Sequence, residues 1–86
     1  MSRVTVYSTG NCPVCVKAKN MLSKWNIDYA EQRIDTDEAA LKKFSEVAQG
    51  ARTVPQILID DRLIGGFSEL TELHMDGDLD ALMNPE

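Results

Sequence analysis

The chain has 86 residues, a formal net charge of -5, 43% hydrophobic and 27% charged residues, the proportions of one globular domain, residues 1–86, with too little apolar material for two. The acidic balance, with carboxylates gathered from Asp35 to Glu38 and from Asp76 to Asp80, excludes the basic footprint of a nucleic-acid surface, and the clusters read as solvated helix starts and turns. No apolar run approaches membrane-spanning length, and Val4 follows Met1-Ser2-Arg3 directly, leaving no room for a signal peptide, so a cytoplasmic protein without membrane contact is expected.

Residues Arg3 to Tyr7, "RVTVY", are β-branched and aromatic and predict a short strand. From Val14 onward, Val14, Ala18, Met21, Leu22 and Trp25 share one helical face, while Lys17, Asn20 and Lys24 lie elsewhere, Lys17 and Lys19 read as solvent-exposed, and Asn26 supplies a stop. A second strand is expected from Tyr29 to Ile34, although "YAEQRI" alternates poorly. Asp35 with Glu38 resembles a capping pair for a second helix, whose stripe is Ala40, Leu41, Phe44, Val47 and Ala48 and which ends at Gly50. "PQILID" and "RLIGG" predict two strands joined tightly at Asp60-Asp61. Ser68 would then cap a third helix bearing Leu70 and Leu73, interrupted by Gly77 before Leu79, Leu82 and Met83. The resulting order, β-α-β-α-β-β-α, belongs to the α/β class: a small four-stranded mixed sheet covered by about three helices, with a right-handed crossover between the first two strands.

The chain's two cysteines lie in "GNCPVC", between the first strand and the first helix. A structural clip is a poor reading, because a disulfide closing about four residues contributes roughly 2 kcal/mol by loop entropy, against roughly 3 for a fifteen-residue loop. A zinc site is not expected either, since four ligands are needed and only two cysteines and His74 are on offer. His74 itself reads as a surface or partly buried helix residue, and Trp25, Met21 and Met83 as packing residues.

A reacting pair fits better. With Pro13 at the first helical position, Cys12 becomes the cap, its sulfur facing the free amides of Val14 and Cys15 and the positive end of the helix dipole. One turn on, Cys15 is more covered and within disulfide reach. Lowering a thiol pKa from about 8.5 to about 5 raises the thiolate fraction at neutral pH roughly thirtyfold, but intrinsic nucleophilicity falls by a similar factor, so the surviving gain is leaving-group quality.

Together "VYSTGNCPVC", "TVPQILID" and "IGGFSEL" resemble the glutaredoxins across almost the whole chain. The resemblance implies a thioredoxin-like fold and a glutathione-linked oxidoreductase of the dithiol C-P-x-C type. It implies that Cys12 attacks disulfides or glutathionylated proteins and Cys15 resolves the mixed disulfide. No bound cofactor is implied, only glutathione as reducing co-substrate to a monomer. It also implies a cis Val54-Pro55 bond and a glutathione site at Arg52, Thr53, Val54, Pro55, Gly66, Phe67 and Ser68.

Departures from the family pattern bear on substrate preference. Thr9 stands where the resembled proteins usually carry lysine, Val14 where they carry tyrosine, and Ser68-Glu69 where Asp-Asp is common. Arg52 is the expected substitute for the missing lysine, and Glu69 a candidate anion for the glutathione ammonium. Three other readings stay open: an electron donor to ribonucleotide reductase that thioredoxin reductase reduces, a glutathione-ligated iron-sulfur carrier, and a redox-sensing adaptor.

Overall fold

The computed structural model describes residues 3–51, 53–60 and 62–83. Strand β1 (Val4–Ser8) is followed by α1 (Pro13–Lys24), β2 (Tyr29–Arg33), α2 (Glu38–Val47), β3 (Gln56–Ile59), β4 (Arg62–Gly65), α3 (Phe67–Met75) and α4 (Asp78–Met83). The sheet order is β2-β1-β3-β4, with β1 parallel to β2 and the β1–β3 and β3–β4 pairs antiparallel. The predicted order therefore holds up to α3, with α4 added after it, and the fold is thioredoxin-like. Among the described residues, no helix is long and apolar enough to cross a membrane.

Alternation along the strands makes two cores. Val4, Val6, Ile57 and Ile59 pack with Ala18 and Leu22 of α1, Leu70 of α3 and Leu79 of α4. On the opposite face Tyr7 and Leu58 pack with Phe44 and Ala48 of α2, and Tyr7 meets Phe44 edge-on at 5.5 Å between ring centroids. Because side chains on a strand alternate between faces, the two central strands are covered on both sides. Partly buried Trp25 and Met83 pack against the first core, as expected, and exposed His74 stacks on Trp25 at 3.8 Å between ring centroids.

Local expectations need correction at several points. β1 starts at Val4 rather than Arg3 and includes Ser8, while β2 stops one residue before Ile34. The α2 cap is Asp37, not Asp35: its carboxylate accepts from the amides of Ala39 and Ala40 at 3.0 and 3.2 Å. Val14 and Leu41, placed on apolar stripes, are 42% and 47% exposed, and the stripe of α1 is centred on Cys15, Ala18 and Leu22.

The third helix is two helices. Asp76 caps α3, and Gly77, with a φ of 80°, turns the chain into α4. Its N-cap is Gly66 rather than Ser68, which lies inside the first turn. Glu69 reaches back to accept from the Gly66 amide at 3.0 Å, the N3 half of a capping box, while the glycine cap offers no side-chain acceptor of the kind expected of the serine. Asn26 and Asp60 adopt positive φ as stop and turn residues; Asp61 lies outside the described residues.

Candidate active site

The site is rooted in β1 and β3, paired side by side with Tyr7 opposite Gln56. Where β1 ends, residues 9–11 lead into α1. Cys12 is the N-cap in extended conformation, with Pro13 following at the start of the helix. Its sulfur accepts from the Cys15 amide at 3.1 Å, which satisfies one of the orphan donors of the first helical turn. Cys12 and Cys15 are joined as a disulfide with a Cα separation of 5.2 Å. Cys15 is only 1% exposed, whereas Cys12 is half-buried. Reagents from solution therefore meet Cys12 first.

The chain returns to this sulfur at Val54, whose carbonyl oxygen lies 3.6 Å from Cys12 Sγ. The Val54-Pro55 peptide bond is cis, as the resemblance implies. Beside it opens a groove of about 390 Å³ whose lining brings together Thr53, Val54 and Pro55 with Gly66, Phe67 and Ser68. Arg52 lies outside the described residues. Gly65, at a φ of 120°, makes the turn from β4 toward α3, and a Cβ there would press on Glu69 Cγ at 3.0 Å.

Three further residues line the groove: Val14, Gln56 and Glu69. Gln56 went unassigned because a polar residue heading the apolar run "QILI" gives no local sign of facing inward; its side chain ties down Thr53. Lys19 is not a free surface cation, for it donates to Glu31 at 2.7 Å. Asp35 accepts from the Gly10 amide at 2.9 Å, and Arg33, with help from that amide, holds its carboxyl well below the usual carboxylate range. Among the described residues no group of three or more His, Cys, Asp or Glu gathers that could hold a metal ion.

A four-stranded sheet of this order, with a C-x-x-C pair capping its first helix and a cis-proline turn against the first sulfur, defines a thioredoxin-like thiol-disulfide oxidoreductase. Residues 4–64 match the Glutaredoxin family profile. The chain is 36% identical over 86 residues to a glutaredoxin of Neisseria meningitidis, covering 99% of this chain and 100% of that one. It is 38% identical over 82 residues to a probable glutaredoxin of Synechocystis, covering 95% and 75%. In structure it is similar to the dithiolic glutaredoxin 2-C-Grx1 of Trypanosoma brucei brucei, with a TM-score of 0.84 at 33% identity over 96% of this chain and 88% of that one. A buckwheat glutaredoxin-glutathione complex gives 0.81 at 27% identity over 93% and 74%. The chain belongs to the glutaredoxin family, and its redox-active dithiol is Cys12 and Cys15.

Proposed function

We propose that this glutaredoxin is a glutathione-dependent reductant of glutathionylated proteins and protein disulfides, acting as a monomer in the cytoplasm. The observation that carries the reading is the groove of about 390 Å³ lined by Thr53, Val54 and Pro55 together with Gly66, Phe67 and Ser68 at the start of α3, next to the Val54 carbonyl that lies 3.6 Å from Cys12 Sγ. An extended tripeptide can pair with the main chain at Val54 as an added strand and set a carboxylate against the α3 N-terminus. The buckwheat relative's complex with glutathione supports the same ligand class. Arg52 is the proposed partner for the other carboxylate, and Glu69 for the ammonium.

With a glutathionylated protein, the Cys12 thiolate attacks the glutathione sulfur, a Cys12-glutathione disulfide forms and the protein thiolate leaves. A second glutathione thiolate then attacks the glutathione sulfur bound to Cys12, giving glutathione disulfide and freeing Cys12. With a protein disulfide, Cys12 forms the mixed disulfide and releases one substrate thiolate. Cys15, deprotonated, attacks Cys12 Sγ and releases the second, leaving the Cys12–Cys15 disulfide; two glutathiones then reduce it. When the second glutathione attacks the glutathione sulfur bound to Cys12, the helix-cap position favours Cys12 as leaving group.

Steady-state reduction of a glutathionylated peptide, coupled to glutathione reductase and NADPH, tests this for wild type, Cys12→Ser and Cys15→Ser. Activity should vanish in the first variant and persist in the second. If the oxidised protein draws NADPH through thioredoxin reductase and not through glutathione, the proposal is wrong.

A further inference from the structure

The loop that delivers Cys12 to its helix is held from another part of the sheet. The Gly10 amide donates to Asp35 Oδ2 at 2.9 Å. Arg33 grips the same carboxylate as a fork, Nε to Oδ1 at 2.8 Å and a terminal nitrogen to Oδ2 at 2.9 Å. The guanidinium lies so close over the loop that a Cβ on Gly10 would fall 2.5 Å from that terminal nitrogen. The Ile34 amide also bonds to Ser8 O at 3.0 Å, so the β1–β2 ladder runs up to the two loops it braces.

Gly10 is two residues from Cys12, so their Cα atoms are at most about 7 Å apart. The Asp35 carboxylate is bonded to the Gly10 amide, so its charge sits against the loop that carries the sulfur. An unpaired carboxylate at this place would oppose ionisation of Cys12, and Thr9 brings no ammonium to offset it.

We infer that Asp35 and Arg33 are positioning residues for Cys12: the carboxylate pins the loop that sets the sulfur at the helix cap, and the guanidinium cancels the negative field that the pin would otherwise impose. Neutrality of the pair is then its working property, and neither residue touches substrate. The other charged groups on elements around Cys12 are Lys17 and Lys19 on α1, Asp37 and Glu38 at the head of α2, and Glu69 on α3. Of these, Lys19 is bound to Glu31, Asp37 to the α2 amides and Glu69 to the Gly66 amide. The inference does not depend on glutathione, because the ionisation of Cys12 is itself the quantity measured.

The test is an ultraviolet thiolate titration of reduced protein in a Cys15→Ser background, where Cys12 is the one thiol left. Arg33→Met should raise the midpoint and Asp35→Asn should lower it, each by a few tenths of a pH unit. Arg33→Met combined with Asp35→Asn should return to the parent value, and Arg33→Lys, which keeps the charge, should stay near it. A loop merely loosened would move both single variants the same way. Any result in which they do not move in opposite directions overturns the inference. Should the Asn variant fail to fold, Arg33→Met against Arg33→Lys decides, since equal midpoints also overturn it.

Discussion

Gln56 is 6% exposed, and its amide donates to both Thr53 O at 3.0 Å and Thr53 Oγ1 at 3.2 Å. Buried polar side chains hold their place only when so bonded, which makes this one a brace for the groove wall. Gln56→Ala should destabilise the protein by about 1 to 2 kcal/mol. It should also raise KM for a glutathionylated peptide several-fold while leaving the alkylation rate of Cys12 unchanged; equal changes in both would move its influence to the sulfur. The contrast with Cys12 shows what single residues disclose. Cys12 was legible as a cap because Pro13 fixes the first helical position beside it, whereas Ser68, an equally good cap by type, lost the role to Gly66. The helix starts earlier than the serine suggests, with Glu69 reaching back to the Gly66 amide, and a residue's own preference says nothing of where its neighbours start the helix.

Between elements, α1 is tied to the sheet by a polar junction. Buried Ser8 donates to Glu31 Oε2 at 2.6 Å, and Lys19 donates to the same oxygen at 2.7 Å. Both bonds hold the Glu31 carboxyl below its ordinary value, Lys19 contributing most and Ser8 next. A lowered folded-state pKa stabilises the fold above the unfolded value, near 4.5, and that stabilisation is lost as pH falls through the lower folded value. For a pair this exposed it is worth about 1 kcal/mol. Urea midpoints at neutral and acid pH should therefore show Glu31→Gln less stable than wild type at neutrality, with the gap closing in acid. β2 was the least readable element for a related reason. It is an edge strand without a buried residue, so its sequence carries no alternation. α1 and α3, by contrast, follow from apolar spacing, and Gly77 marked the break without revealing that a separate helix follows.

At the scale of the molecule, Arg3 joins three remote segments. Its Nε donates to Asp60 at 3.0 and 3.1 Å, and its terminal nitrogens donate to the carbonyls of Leu82 at 2.7 Å and Met83 at 2.9 Å. α4 has six residues, too few to persist alone, and its last carbonyls find their donors in this side chain. Arg3→Ala should speed amide exchange throughout α4 while β1 and β3 stay protected; uniform acceleration would instead mean that Arg3 supports the whole fold. Such ties across 57 to 80 residues leave no local trace in sequence, nor does the bond from Gly10 to Asp35. Strand and helix order was readable because each element carries its own apolar period, but the pairings that aim the elements belong to the folded whole. The pairing of β1 with β3 has one more consequence. The sulfur stands at the helix that follows one of these inner strands and the cis-proline turn leads into the other, so their register limits how far the attacking atom and the strip of main chain beside it can drift apart.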